Sequence, residues 1–120
     1  MNLNNIFIAT SSFAVHSDKP LDTLDKHQHR YTLNSFGKKL SGKELLTNAK
    51  NSYSIIAGTE IYDEHVLMAL PNLKVISRLG VGMDNIDLEF AKKRGIKVFR
   101  TKTTPAPAVA ELVLGLMIDI

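Results

Sequence analysis

Two rhythms of apolar residues alternate along this chain. Short runs rich in β-branched and aromatic residues recur, and between them apolar residues fall three and four positions apart, as on one face of a helix. The first run, Asn5–Thr10, predicts a strand. Residues 11–29 are less regular; Asp18 or Ser17 is placed to cap a helix through Leu21, Leu24 and Asp25, with Pro20 in its first turn. Tyr31–Asn34 predicts a second strand and Gly37 a turn after it. Ser41 with Glu44 three residues on spells a capping box, opening a helix that carries Leu45, Leu46 and Ala49. Tyr53–Ala57 is a third strand, broken by Gly58. Asp63–Ala69 is a helix closed by Pro71, and Leu73–Ser77 a fourth strand that runs into Gly80–Gly82. Asp87 caps a helix through Leu88, Phe90 and Ala91; Gly95 ends it, with Lys92, Lys93 and Arg94 placed against its dipole. Ile96–Phe99 is a fifth strand. A Thr/Pro-rich connection covers residues 100–107, and a helix is expected from Ala108 to the last residue.

Strands that alternate with helices specify an α/β protein. The expected architecture is a flavodoxin-like, doubly wound, mainly parallel five-stranded sheet with an extra apolar helix at the C-terminus. Ligands on such sheets bind beyond the C-terminal ends of the strands. That rule singles out the loops at 10–13, 57–60, 78–85 and 100–107.

Composition narrows the function classes. The 120 residues are 44% apolar and 22% charged, as in an ordinary single globular domain. The chain has no cysteine, which excludes a disulfide framework and thiolate metal sites. A net charge of +3, spread along the chain, gives no basic patch for nucleic acid. The histidines at 16, 27, 29 and 65 are scattered, and no metal site is expected. The N-terminus has no basic leader, and the apolar stretch Leu112–Ile118, interrupted by Gly115, is far short of a membrane span. A cytoplasmic protein is expected.

The candidate chemistry lies at Gly80-Val81-Gly82. Two glycines around Val81 let a backbone approach an anion and turn its N–H groups toward it. The same residues also suit a plain strand-to-helix turn. The third glycine and the downstream acidic residue of a dinucleotide fingerprint are missing, so this is not read as an NAD site. Asp84 and Asn85 are read as structural, bonding backbone in the turn.

The run Asn72-Leu73-Lys74-Val75-Ile76-Ser77-Arg78-Leu79-Gly80-Val81-Gly82-Met83-Asp84-Asn85-Ile86-Asp87 resembles D-2-hydroxyacid dehydrogenases, especially those like D-3-phosphoglycerate dehydrogenase. The likeness continues through Leu88-Glu89, Ala91-Lys92-Lys93-Arg94-Gly95-Ile96 and Val98, and resumes at Ala108-Val109-Ala110-Glu111-Leu112. Upstream, Phe36-Gly37 and Ile56-Ala57-Gly58-Thr59-Glu60 also look like one branch of that family. It is strongest over residues 53–120. The resemblance implies that Gly80, Val81 and Gly82 hold a substrate carboxylate through backbone amides, with Gly58 and Thr59 edging the same cleft; Thr59 or Asp63 could equally cap the next helix. Where many relatives have Asn-Thr-Pro-Gly, this chain has Arg100-Thr101-Lys102-Thr103. Arg100 and Lys102 either meet an acidic substrate or are solvated loop charges.

By the same resemblance, residues 1–104 are the substrate-binding domain and 105–120 the start of an interdomain helix. The catalytic arginine, glutamate and histidine and the NAD-binding domain of the family belong downstream of this segment. The expectation is therefore a substrate-binding domain that binds a small 2-hydroxy or 2-keto acid weakly. It has no catalytic residue of its own, binds no cofactor and is inactive alone, while NAD serves the parent enzyme. The alternative is a free-standing carboxylate-binding or protein-interaction module. Residues 108–120 are apolar on nearly every face, which predicts self-association through that helix.

Overall fold

The computed structural model describes residues 5–101. Five strands and four helices alternate strictly: β1 (Asn5–Ile8), α1 (Lys19–Lys26), β2 (Arg30–Leu33), α2 (Gly42–Ala49), β3 (Ser54–Ala57), α3 (Glu64–Met68), β4 (Val75–Arg78), α4 (Leu88–Lys93) and β5 (Lys97–Arg100). The strands form one sheet in the order β2-β1-β3-β4-β5. The expected sheet was mainly parallel; every neighbouring pair is parallel. The 102–107 part of the Thr/Pro-rich connection, the 104/105 domain boundary and the apolar helix expected from Ala108 lie outside the described residues.

The period-2 alternation of the central strands divides the core in two. Phe7, Ala9, Ile55, Ala57 and Ile76 join Leu45, Ala49, Val66, Leu67 and Ala91 from α2, α3 and α4, with Leu70 from the turn after α3. On the opposite face, Ile6, Ile8 and Ile56 pack with Phe13 and with Leu24 of α1. Strands covered on both faces read as nearly continuous apolar runs, which is why β1 and β3 were visible in the sequence. Each large aliphatic side chain buried here contributes about 1.5–3 kcal/mol relative to exposure.

Helix starts follow their caps. The Ser41 hydroxyl accepts from the Glu44 amide at 3.2 Å, and the Glu44 carboxylate accepts from the Ser41 amide at 2.9 Å. That backbone bond, with Lys38 beside it, holds the Glu44 carboxyl below its ordinary value. Asp63 and Asp87 cap α3 and α4 through the amides of Val66 and Phe90. At α1 the cap is weaker: Asp18 occupies the N-cap position without a side-chain bond, and Ser17 accepts from Lys19 at 3.2 Å.

Several strand ends differ from the sequence expectation by one or two residues. β1 stops at Ile8 rather than Thr10, because the amides of Ala9 and Thr10 both turn to the one carbonyl of Ile56, at 2.9 and 3.4 Å. A ladder cannot continue through a shared acceptor. β4 starts at Val75 rather than Leu73, whose amide still closes the exit of α3 on Leu70. It then runs on to Arg78, which pairs with Ala57.

Candidate functional site

The strand order reverses between β1 and β3, and the loops leaving them meet there. Gly58 is the point of closest approach. A Cβ added to it would stand 2.9 Å from Thr10 Cβ and 3.0 Å from both Thr10 Oγ1 and Glu60 Oε1. No side chain larger than hydrogen fits without displacing this contact. Thr59 follows, exposed, and Glu60 turns back inward at 2% exposure.

The next loop leaves β4. Leu79 donates to the Ala57 carbonyl at 2.8 Å, the last backbone bond between these two strand exits. Gly80 then takes φ +146°, which L side chains rarely adopt, and a Cβ there would run into the Arg78 guanidinium. Its backbone is paired on both sides with Thr101: the Gly80 amide donates to Thr101 Oγ1 at 3.2 Å, and the Thr101 amide donates to the Gly80 carbonyl at 3.1 Å. Thr101 is buried. Val81 and Gly82 are exposed, and their amides have no acceptor among the described residues. Arg100, paired with Arg78 in the β4–β5 register, reaches over the turn and donates to the Val81 carbonyl at 3.4 Å. It makes no ion pair among the described residues.

Of the residues expected to bind, Gly58 and Gly80 therefore have their amides engaged within the protein. Thr59, Val81 and Gly82 have theirs open among the described residues. The Asp63 side chain caps α3, so Thr59 is not needed as a cap.

Behind these loops lies a polar cluster that the sequence reading did not assemble. The Glu60 carboxylate accepts from the Gly58 amide at 2.8 Å and from the Tyr62 hydroxyl at 3.0 Å. Tyr62 is fully buried; burial, and then the facing Glu60, push its hydroxyl well above the ordinary tyrosine value, so it stays a neutral donor. The Asn85 amide group donates to the carbonyls of Gly58 and Glu60, and Arg78 Nε donates to Asn85 Oδ1 at 3.4 Å. Asn85 thus bonds backbone as expected of it. Asp84 is exposed and makes no side-chain hydrogen bond among the described residues. The signal that could have found the cluster is the lone carboxylate at Glu60 within the apolar stretch from Ile55 to Tyr62, since a buried carboxylate must find donors.

The Gly80–Gly82 turn is not built like a pyrophosphate-binding turn. A pyrophosphate needs a glycine turn that opens directly on a helix N-terminus. Here α4 begins at Leu88, well past Gly82, and its first turn is already capped by the Asp87 carboxylate, as that of α3 is by Asp63. A phosphate at either end would meet a like charge. Among the described residues no group of three His, Cys, Asp or Glu side chains could hold a metal, and no helix is long and apolar enough to cross a membrane.

Fold and loops together define a doubly wound α/β domain whose loops beyond β3 and β4 leave the amides of Thr59, Val81 and Gly82 without an acceptor among the described residues. The family profile for the catalytic domain of D-isomer specific 2-hydroxyacid dehydrogenases matches residues 8–113, and the chain belongs to that family. It is 53% identical over 53 residues to a hydroxypyruvate reductase of Thermotoga maritima, covering 44% of this chain and 17% of that one. It is 42% identical over 81 residues to a glyoxylate reductase of Thermofilum pendens, covering 67% of this chain and 24% of the relative. Among solved structures, the NAD+-bound 3-phosphoglycerate dehydrogenase of Entamoeba histolytica superposes with a TM-score of 0.72 at 30% identity, over 94% of this chain and 37% of that one. The chain thus spans well under half the length of these relatives.

Proposed function

We propose that this chain is the substrate-binding part of an NAD(P)-dependent 2-hydroxyacid dehydrogenase, and that it takes a small 2-hydroxy or 2-keto acid by its carboxylate. The adjacent open amides of Val81 and Gly82, on an exposed glycine turn, carry this reading. Two neighbouring N–H groups match the two oxygens of a carboxylate, and hydrogen bonds to a charged acceptor are the strong ones. Arg100, over the same turn, adds a positive field. Gly80 supplies the bend rather than a donor. Gly58 fixes the facing edge, and Thr59 offers its amide and hydroxyl there. Glyoxylate and hydroxypyruvate, from the names of the relatives, are the first ligands to try.

Hydride transfer needs a bound nicotinamide and a proton-transfer group within hydrogen-bond reach of the substrate. These belong, in this reading, to the remainder of the parent enzyme, which works in the cytoplasm. The chain alone binds its acid weakly, with a Kd of order millimolar, or about 4 kcal/mol. Titrating 15N-labelled chain with glyoxylate should move the amides of Thr59, Val81 and Gly82 first, while NAD+ moves none. Shifts elsewhere with the turn silent would sink the assignment. Incubation with NADH and 2-keto acids should give no absorbance loss; turnover that follows the protein through a second column would contradict the proposed division of labour.

A further inference from the structure

We propose that Asn85 is the positioning residue of this site: its side-chain amide holds the Gly58–Thr59 edge against the Gly80–Gly82 turn, so that carboxylate affinity depends on it. The inference rests on the carboxylate reading of that turn. The loops leave neighbouring parallel strands, and regular pairing between β3 and β4 ends at Ala57 and Arg78. Past the Leu79–Ala57 bond, the described residues show no direct backbone bond between residues 58–60 and 80–82. Two irregular segments of this kind keep a fixed separation only if side chains bridge them.

Asn85 is that bridge. An asparagine amide has two N–H donors and an oxygen acceptor. One Nδ2 donates to the Glu60 carbonyl at 2.7 Å and to the Gly58 carbonyl at 3.0 Å, while Oδ1 accepts from Arg78 Nε. The Asn85 backbone carbonyl accepts from the Tyr62 amide at 2.7 Å, and the Asp87 amide returns to the Tyr62 carbonyl at 2.9 Å. Tyr62 and Ile86 thereby form a short parallel bridge of their own. Glu60 completes the frame by accepting from the Gly58 amide, so both backbone groups of Gly58 are held by side chains. Asn85 lies three residues from Gly82 on the same loop. Its bonds thus tie the segment that carries the open amides to the opposite edge of the cleft. A site whose donors are held in place before the ligand arrives loses less freedom on binding.

The test uses the same labelled chain, with glyoxylate as the probe. Two variants are compared with the wild type: Asn85→Ala, which removes the bridge, and Asn85→Asp, which keeps the shape but removes both donors and sets a carboxylate against two carbonyl oxygens. Leu46→Ala on α2, whose side chain packs partly buried on the main core, is the control that lowers stability away from the site. In the wild type, the Asn85 Nδ2 proton resonances should shift with the same Kd as the Val81 and Gly82 amides, a signature that a merely structural asparagine would not give. Both Asn85 variants should weaken binding roughly tenfold or more, about 1.4 kcal/mol, while Leu46→Ala leaves the Kd unchanged. A wild type silent at Val81 and Gly82 defeats the carboxylate reading itself. A responsive wild type with folded Asn85 variants of unchanged Kd defeats this inference alone. If neither variant folds, the wild-type Nδ2 resonances decide: silent, they overturn the proposal; moving with the ligand, they support it.

Discussion

His29 shows how one residue couples the fold to pH. It follows α1, whose end is closed by two bonds: Gln28 donates to the Asp25 carbonyl and His29 to the Leu24 carbonyl, both at 3.0 Å. Gln28 takes the left-handed conformation between them, with φ 60°. The turn carries the His29 ring inward, where Nδ1 is buried without a hydrogen-bond partner. Burial first, and then the charge of His27, push the His29 pKa below its ordinary 6.5. A depressed histidine pKa means that the unfolded chain binds the proton more readily. Its contribution to stability is therefore complete above pH 6.5 and declines as pH falls through 6.5 toward the folded-state value. Thermal melts should show Tm dropping between pH 7.5 and 5.5, and dropping less in His29→Gln. An equal drop in the variant would remove His29 as the cause.

At the scale of elements, α3 is the clearest case of a helix held from outside. It spans only Glu64–Met68, too short to persist in water alone. Asp63 caps its start. Its exit is closed by Arg94, whose guanidinium donates to the carbonyls of Leu67, Leu70 and Pro71. The sequence placed Arg94 in the last turn of α4, against that helix's own dipole; the side chain instead serves the neighbouring helix. Arg94→Ala removes a charged donor from three carbonyls, of which Leu67 and Leu70 keep backbone donors, and a hydrogen bond from a charged group contributes about 1.5–3 kcal/mol. Urea unfolding should show a loss of that order. Arg94→Lys should recover only part of it, because a point charge cannot span three acceptors as a planar fork does. Full recovery by lysine would mean that charge alone matters.

For the whole molecule, the ends of the strands are what matter. Because all five strands are parallel, their exits collect on one edge, and both candidate loops lie there. Residues 108–120 are apolar at most positions. Their only charges are Glu111 and Asp119. We propose that they drive self-association, since each large apolar side chain left in water forgoes about 1.5–3 kcal/mol. Light scattering at rising concentration should give masses above that of the 13.3 kDa chain, and Leu112→Glu with Leu116→Glu should reduce them. A constant 13.3 kDa would refute the proposal.

The order and type of the described elements were legible in the sequence because their causes are local. The capping box at Ser41, the cap at Asp87 and the apolar runs of β1 and β3 each act within a few residues, whereas the sequence alone allowed Thr59 or Asp63 as the cap of α3. The glycine turn at 80–82 was legible too, since only glycine takes φ +146° easily. What the sequence left open depends on residues far apart in the chain. Only the folded sheet brings Thr101 to the Gly80 amide, which sets which amides of the turn stay open. Only tertiary packing carries Asn85 to the carbonyls of Gly58 and Glu60, more than twenty positions upstream. A hydrogen bond is made by distance in space, and separation along the chain carries no information about it until the strands are paired.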